Sequence, residues 1–323
     1  MSEKKVLMEA KELVKEFPVQ SNKKGKQVVH AVSNVNLKIY EGETLALVGE
    51  SGCGKSTLGR TLIRLLEATS GEIWFDGVDV THMSERNFMA LRRQMQIIFQ
   101  DPYASLNPRM SVKQIIGEPL TTHKIVSGKV QLDNMVRELM HEVGIPEEFM
   151  NRYPHQFSGG QRQRIGIARA LALKPRLIVC DEPVSALDVS IQSQVLNLLK
   201  DLQAQYQLTY LFISHDLSVV RYIADRVCVM FLGKICEMGD TESLYQHPLH
   251  PYTSFLLEAI PKADPKQRKE KRLLTGEIPS PVNPPAGCRF HTRCPYATEE
   301  CRTQEPKMQL IDGREVACHH PLM

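Results

Sequence analysis

The chain has 323 residues, of which 42% are hydrophobic, and its formal net charge is +3. This length is enough for one large α/β domain and an appendage, and the nearly balanced charge does not suggest a nucleic-acid partner. No apolar run approaches the roughly 20 residues of a membrane span, and the N-terminal Met-Ser-Glu-Lys-Lys is not a signal peptide. We therefore expect a cytosolic protein whose membrane contacts go through partner proteins.

A strand, a glycine-rich loop and a helix follow one another early in the chain. The apolar residues 44–48 predict a short buried strand and residues 57–66 predict a helix. The loop between them fits the phosphate-loop pattern G-x-x-x-x-G-K-[ST], in which Lys55 reaches the β- and γ-phosphates and Ser56 holds Mg²⁺. A glycine-rich turn with a chance lysine is the alternative, and the flanking elements disfavour it. The predicted nucleotide-binding residues are Gly49, Glu50, Ser51, Gly52, Cys53, Gly54, Lys55, Ser56 and Thr57.

The middle of the chain, residues 101–170, is predicted to be helical, with helices over 112–119, 130–143 and 161–173. From about 175 to 260, strands and helices alternate, which predicts a parallel sheet. Residues 191–206 are predicted to form an amphipathic helix. The sequence contains no internal repeat. We therefore expect a single nucleotide-binding domain in the chain.

Two carboxylates end the apolar run that begins at residue 176. Asp181 falls at the C-terminal end of this strand, where open α/β sheets place their ligand chemistry, and it suits the coordination of Mg²⁺. Glu182 points in a different direction and could orient and deprotonate an attacking water. A solvated acidic turn is the alternative, which the phosphate loop disfavours.

Gln100 and His215 each follow a strand-like run. A histidine in that position can donate a hydrogen bond to the γ-phosphate or to the attacking water, although a lone histidine after a strand is usually structural. A functional role for either residue rests mainly on family resemblance.

The motifs, in this order, resemble those of the nucleotide-binding subunits of ATP-binding cassette (ABC) transporters, over about residues 5–260. The resemblance implies ATP hydrolysis with Glu182, His215 and Gln100 as catalytic residues, and Mg²⁺ held by Ser56, Gln100 and Asp181. The signature match is 157–161, with Phe in place of the commoner Leu. The D-loop match consists of Ser185, Ala186, Leu187 and Asp188.

The resemblance further implies that ATP lies between two subunits. The signature residues would then contact the γ-phosphate of ATP held by the partner, and a Gly-Gly step at the start of a helix presents backbone N–H groups to an anion. Phe17 is the candidate for stacking on adenine, and an ordinary core residue at a strand end is equally compatible with its position. The signature residues are Ser158, Gly159, Gly160 and Gln161.

A narrower resemblance, carried by residues 101–110, 247–253, 276–285 and 287–295, is to the oligopeptide/dipeptide importer subgroup, and within it to the OppF/DppF type. It implies the motor subunit of a membrane importer at the cytoplasmic face of the cell membrane. Its expected partners are a second, similar ATPase, two transmembrane permeases and an extracytoplasmic substrate-binding protein. An importer of nickel or another small solute is the alternative, and a soluble ABC ATPase is disfavoured by the single motif set.

Eight cysteines fall into two groups. Cys53, Cys180, Cys228 and Cys236 are predicted to be small buried residues in or beside core elements. Thiolates in the other group suit Zn²⁺ or an iron–sulfur cluster, and the absence of a C-x-x-C pair weakens the zinc interpretation. The subgroup resemblance implies a [4Fe–4S] cluster, with Zn²⁺ as the alternative, for which His291, His319 and His320 could replace thiolates. The predicted metal ligands are Cys288, Cys294, Cys301 and Cys318.

The predicted fold class is therefore α/β, a P-loop NTPase (RecA-like) core with a parallel sheet. An inserted helical signature subdomain is predicted over about residues 101–170. Residues 1–260 would form the ATP-binding cassette, and residues 261–323 a linker and a Cys-rich metal-binding C-terminal extension. Within the extension, the charged run 262–272 is predicted to be the linker.

Overall fold

A computed structural model describes residues 4–19, 27–260 and 276–322 of the chain. The predicted linker 262–272 lies outside these ranges. The chain divides into two compact units. We call Met1–His82 together with Ser214–Met323 the P-loop unit, and Met83–Ile213 the signature unit.

The N-terminal part of the P-loop unit consists largely of strands. Strands β1, β2, β4 and β5 form an antiparallel sheet in the order β2-β1-β4-β5, which the sequence analysis did not predict. In β2, Val35, Leu37 and Ile39 are buried and alternate with exposed residues, so one face packs on the core. The single tryptophan, Trp74, lies on β4 with the Lys11 Nζ 4.4 Å from its ring centroid. The elements are β1 (Val6–Val19), β2 (Gln27–Tyr40), β3 (Thr44–Val48), α1 (Lys55–Leu62), β4 (Ser70–Phe75) and β5 (Val78–Asp79).

The signature unit contains three parallel strands and most of the long helices. Strand β7 pairs with β6 on one side and β8 on the other, both in parallel, and all five residues of β7 are buried. Such continuous apolar burial is typical of a parallel strand covered on both faces. The elements are α2 (Glu85–Arg92), β6 (Met95–Ile98), α3 (Val112–Thr122), α4 (Lys129–Glu142), α5 (Gly159–Leu171), β7 (Leu177–Asp181), α6 (Val189–Tyr206) and β8 (Thr209–Ser214), with short 3₁₀ turns at Glu147–Phe149 and Pro154–Gln156.

The C-terminal part of the P-loop unit begins after β8. Strand β9 pairs with β3 in parallel, as expected for a P-loop core. The described elements are α7 (Leu217–Ile223), β9 (Arg226–Phe231), β10 (Lys234–Asp240), α8 (Thr241–Gln246), α9 (Pro251–Glu258), α10 (Glu299–Thr303), β11 (Gln309–Ile311) and β12 (Arg314–Val316).

The predicted parallel sheet is wrong for this part of the chain, where the sheet is mixed. Strand β10 pairs with β9 and with β12 in antiparallel fashion, and β12 pairs with β11. The reason is a two-residue turn: Leu232 and Gly233 both have positive φ, at 42° and 84°. Two such residues form the tight turn whose twist suits an antiparallel hairpin.

The segment after residue 276 packs on the core of the P-loop unit. Phe290 is buried, and its ring centroid lies 5.3 Å from that of Phe231 and 5.2 Å from that of Tyr252. Strand β12 extends the sheet at β10. Within the P-loop unit, the cysteine-rich segment is therefore anchored by apolar contacts and by strand pairing. None of the helices in the described ranges is long and apolar enough to cross a membrane.

Candidate nucleotide site and cysteine cluster

The loop before α1 is shaped by two glycines with positive φ that no other residue could replace. Gly49 has φ 152° and Gly54 has φ 106°. A Cβ atom on Gly49 would overlap the carbonyl oxygen of Met230, and one on Gly54 that of Ala31. Gly54 is the N-cap of α1, and no side chain caps this helix. The α1 N-terminus is therefore open to an anion, as a phosphate loop requires.

Lys55 lies inside this loop. Its side chain is buried, and its Nζ donates to the carbonyl oxygens of Gly49 (2.8 Å) and Glu50 (3.0 Å). The Nζ also lies 3.8 Å from the Sγ of Cys53, whose pKa burial raises. The loop thus curls around a buried ammonium group that bonds two of its own carbonyl oxygens.

Glu50 is fixed at both its backbone and its carboxylate. Its backbone N–H donates to the Tyr252 hydroxyl oxygen at 2.9 Å. Its carboxylate accepts two hydrogen bonds from Arg293, at 2.7 and 3.1 Å. Neither Tyr252 nor Arg293 was predicted as part of the site, because both are distant from Glu50 in sequence and the stretches that contain them, 247–253 and 287–295, indicated only the subgroup.

Two other predicted residues lie in the P-loop unit. Phe17 is half-buried near the end of β1, and the Lys15 Nζ lies 4.9 Å from its ring centroid. His215 follows β8 directly and is exposed. Asp216 next to it caps α7 by accepting from the N–H groups of Ser218 and Val219, which fixes the backbone just after the histidine.

In the signature unit the structure brings Glu182 and Gln100 together. The Gln100 Nε2 donates to the Glu182 Oε2 at 3.0 Å, across 82 positions of sequence. Asp181, the last residue of β7, is completely buried. Glu182 has a left-handed backbone, with φ 48°, and its N–H donates to the carbonyl oxygen of Ile213 at 3.1 Å. A non-glycine residue in this conformation carries local strain of the kind found at functional sites.

The D-loop match follows Glu182 without a break. The Ser185 hydroxyl donates to the carbonyl oxygen of Glu182 at 3.1 Å, and Asp188 is the N-cap of α6. The side chain of Gln192, which no motif indicated, donates to the carbonyl oxygens of Val184 (3.1 Å) and Leu187 (3.0 Å). These bonds fix the path of the D-loop relative to Glu182.

The signature motif forms the N-terminus of α5. Ser158 is the N-cap: its Oγ accepts from the Gln161 N–H at 3.4 Å, and the Gln161 Oε1 accepts from the Ser158 N–H at 3.0 Å. This reciprocal pair is a capping box. Gly160 faces Ile191 of α6, where a Cβ atom would overlap the isoleucine side chain. The motif is thus packed against α6 and the D-loop of its own unit.

The four cysteines of the C-terminal segment line one small cavity of the P-loop unit. None of the eight cysteines, all in described residues, forms a disulfide, and Cys53, Cys180, Cys228 and Cys236 are buried as predicted. Burial raises the pKa of Cys288 to about 11 and that of Cys318 to about 12, with a smaller contribution from the neighbouring thiolates. Within the described ranges, however, no group of three or more His, Cys, Asp or Glu side chains is arranged to hold a metal ion.

The histidines around this cavity bond to neighbouring groups. The His291 Nδ1 lies 2.9 Å from the carbonyl oxygen of Cys288, and the His320 Nε2 lies 2.9 Å from the hydroxyl of Thr298. The His319 Nε2 lies 3.0 Å from the carbonyl oxygen of Gln304. These bonds orient the three histidine rings around the cavity.

Comparison with protein families and known relatives decides the family. The profile described as ABC transporter matches residues 32–185, and the profile described as oligopeptide/dipeptide transporter, C-terminal region, matches residues 236–301. The oligopeptide transport ATP-binding protein AppF of Bacillus subtilis is 51% identical over 97% of both chains. The di/tripeptide transport ATP-binding protein DppF of Pseudomonas aeruginosa is 50% identical over 97% of both chains.

This chain belongs to the ATP-binding subunits of oligopeptide and dipeptide ABC transporters.

Solved structures agree with this ABC ATPase fold. The ATP-binding cassette MJ0796, described as a dimer in a post-hydrolysis state bound to ADP and Pi, superimposes with a TM-score of 0.65 at 29% identity, covering 73% of this chain and 99% of MJ0796. The cbiO1 protein of Clostridium perfringens superimposes with a TM-score of 0.64 at 28% identity, covering 76% and 92% of the two chains. The resemblance inferred from the motifs is thus confirmed, and with it ATP hydrolysis as the activity.

Proposed function

We propose that this ABC ATPase powers the import of oligopeptides or dipeptides from the cytoplasmic face of the cell membrane. The names of its relatives support peptide cargo over nickel or another small solute. It would work with two transmembrane permeases and an extracytoplasmic substrate-binding protein. The observation that carries the catalytic proposal is the hydrogen bond between Gln100 and Glu182, directly after the buried Asp181.

The binding of ATP is assigned to the loop before α1 and to Asp181. Lys55 would exchange its bonds to loop carbonyl groups for the β- and γ-phosphates. Ser56, Asp181 and Gln100 would hold Mg²⁺, which neutralises charge between those phosphates when bound. Phe17 is the proposed stacking partner of adenine, and its half-exposed ring on β1 is compatible with this role.

Glu182 is the proposed general base. Its carboxylate would accept a proton from the attacking water while Gln100 keeps the carboxylate oriented. His215 would donate a hydrogen bond to the γ-phosphate or to the water. The two neighbouring carboxylates lie in different environments, since Asp181 is completely buried whereas Glu182 bonds to Gln100, and we assign the first to the metal and the second to the water.

The signature residues 158–161 and the D-loop residues 185–188 are proposed to face ATP bound by a second, similar ATPase subunit. Supporting this, the signature motif begins α5, whose first-turn N–H groups and dipole favour an anion. A heterodimer is proposed, because importers of this subgroup use a pair of ATPases.

The decisive experiment on catalysis is Glu182→Gln in the assembled transporter. This substitution keeps the side-chain shape and removes the base, so we expect phosphate release to fall by about 10²–10⁴-fold while ATP binding persists. Glu85→Gln is the matched control, since Glu85 forms an exposed ion pair with Arg92. Phosphate release by Glu182→Gln at the rate of this control would contradict the assignment.

For the cysteine cluster we propose a [4Fe–4S] cluster held by Cys288, Cys294, Cys301 and Cys318, with Zn²⁺ as the alternative. Four thiols around one cavity are a donor set that suits either group, although the side chains are not arranged as a closed site. A bound cluster would cross-link the segment between Cys288 and Cys318 as a structural clamp.

Anaerobic purification of the full chain distinguishes these groups. A brown protein with broad absorbance at about 400 nm, bleached by Cys294→Ser, would support the cluster. A colourless protein with one zinc per chain would support the alternative. Free alkylation of all four thiols in the folded protein, with no metal, would contradict both.

A further inference from the structure

An arginine of the C-terminal segment reaches the phosphate loop. The Arg293 guanidinium binds the Glu50 carboxylate through two hydrogen bonds, with its Nη1 2.7 Å from Oε2 and its Nη2 3.1 Å from Oε1. The Arg293 side chain is 7% exposed and that of Glu50 is 23% exposed. Such a two-point, partly desolvated pair is stronger and more directional than a surface ion pair.

Glu50 is held from three directions at this point. Its carboxylate is bound by Arg293, its N–H by the Tyr252 hydroxyl, and its carbonyl oxygen accepts from the Lys55 Nζ at 3.0 Å. The Lys55 ammonium is the group that meets phosphate. The position of Glu50, together with that of Gly49, therefore helps to fix the Lys55 ammonium.

The segment that presents Arg293 is itself docked beside these groups. The Arg293 N–H donates to the carbonyl oxygen of Phe290 at 3.0 Å, which closes a turn between Cys288 and Cys294. The Phe290 ring packs against Tyr252, the same residue whose hydroxyl holds the Glu50 N–H. Tyr252 thus contacts both the turn between Cys288 and Cys294 and the phosphate loop.

The charge of Glu50 gives a second physical reason for its contact with Arg293. Glu50 places a carboxylate within the loop that receives a polyanion, and like charges at short range disfavour binding. Arg293 offsets that carboxylate. Without the guanidinium, the carboxylate would be left uncompensated next to the nucleotide phosphates.

We propose that Arg293 is a positioning residue for ATP: it fixes and neutralises Glu50, so that the C-terminal segment sets the ATP affinity of the phosphate loop. The inference rests on the proposed role of the loop in binding ATP. It adds a residue that no phosphate-loop motif contains, and it gives the C-terminal segment a part in the nucleotide site of its own chain.

The test measures the KM for ATP and kcat of the assembled transporter, together with the affinity of the full chain for a fluorescent ATP analogue. We expect Arg293→Gln to raise KM and weaken binding about 10-fold, with kcat changed less than about twofold. Arg293→Lys should have a KM between those of the unsubstituted chain and of Arg293→Gln, because lysine keeps the charge and loses the two-point geometry. The double variant Arg293→Gln/Glu50→Gln should bind ATP more tightly than Arg293→Gln alone, because the uncompensated carboxylate is gone.

Arg314→Gln is the matched control. Arg314 is a buried arginine of the same segment, and its Nη1 lies 3.5 Å from the Glu237 Oε1, so its loss should lower the melting temperature and leave KM unchanged. If Arg293→Gln lowers the melting temperature but leaves KM unchanged, as expected for Arg314→Gln, the proposal is wrong. It is also wrong if adding Glu50→Gln to Arg293→Gln does not restore ATP affinity. If Lys55→Ala leaves ATP affinity intact, the assignment of the loop itself fails, whatever Arg293 does.

Discussion

Helices α1 and α5 both begin at a glycine-containing motif, and their N-termini are built differently. Gly54 caps α1 with a left-handed backbone and no side-chain bond, whereas Ser158 caps α5 through a capping box with Gln161. The α1 N-terminus brings its own cation, Lys55, and leaves its end open for a ligand. At the α5 N-terminus the capping box pairs the N–H groups of Ser158 and Gln161 within the chain. This difference fits the roles proposed above: α1 as the site where the chain binds its own ATP, and α5 as the motif that contacts ATP held by a second subunit.

The largest expected effect is that of Gly54→Ala, which changes the N-cap of α1. The added Cβ would overlap the carbonyl oxygen of Ala31, at a φ that alanine rarely adopts. We expect ATP binding to be lost and the free energy of unfolding to fall by several kcal/mol, on the order of the larger backbone effects. Gly42→Ala is the matched control: its φ is also positive, but no atom lies within 4 Å of the added Cβ, so only about 1 kcal/mol should be lost.

Removing the cation of α1 tests the comparison without a change to either glycine of the loop. Lys55→Ala should weaken ATP binding on the order of 100-fold, the upper range for a charge-assisted hydrogen bond to a buried group. Equilibrium titration of the full chain with MgATP measures the change. An affinity within threefold of the unsubstituted chain would mean that α1 does not hold phosphate.

A third N-terminus, that of α9, is capped by a titratable side chain. The His250 Nδ1 accepts from the Tyr252 N–H at 3.0 Å, and burial lowers the pKa of His250 to about 4. Because the unfolded chain binds this proton near pH 6.5, stability present above that pH is lost as the pH falls toward 4, by roughly 3 kcal/mol at most. Thermal unfolding midpoints between pH 7.5 and 5 should show the loss, and His250→Asn should reduce it. An equal decline in both proteins would assign the loss to other groups.

The smallest effect, and the sharpest comparison, comes from Ser158→Ala and Ser111→Ala. Ser111 caps α3 with the same capping box, its Oγ accepting from the Gln114 N–H at 3.4 Å. Each substitution should cost about 1 kcal/mol of stability. Ser158→Ala alone should also lower ATP hydrolysis by the assembled transporter, measured at saturating ATP. Equal hydrolysis by the two variants would show that Ser158 only caps its helix.

The sequence predicted best where a local pattern determines the structure. The strands at 44–48 and 177–181 follow from apolar runs, and the helices predicted over 112–119, 130–143 and 161–173 are observed over 112–122, 129–142 and 159–171. The hairpin turn at Leu232 and Gly233 was not predicted, because its single glycine lies in a region where the sequence predicts alternating strands and helices. The four-stranded antiparallel sheet was missed although β1–β2 and β4–β5 join consecutive strands, because the pairing of β1 with β4 that unites them is long-range.

The contacts within the site were less predictable than its residues. Gln100 and Glu182 were both predicted, but their hydrogen bond spans 82 positions. Arg293 lies 243 positions from Glu50, and the stretch that contains it gave no indication of a contact with the phosphate loop. A motif records which side chains a ligand needs, whereas the residues that hold those side chains are chosen by the tertiary packing and leave no local pattern.

The position of Trp74 has an optical consequence. As the only indole of the chain, on β4 of the P-loop unit, it gives an emission signal that reports on the antiparallel sheet and its neighbours. Helices α2 to α6 belong to the signature unit and dominate far-ultraviolet circular dichroism instead. A chemical denaturation followed by both signals would therefore resolve the two units separately, and non-coincident curves would show that they unfold as independent bodies.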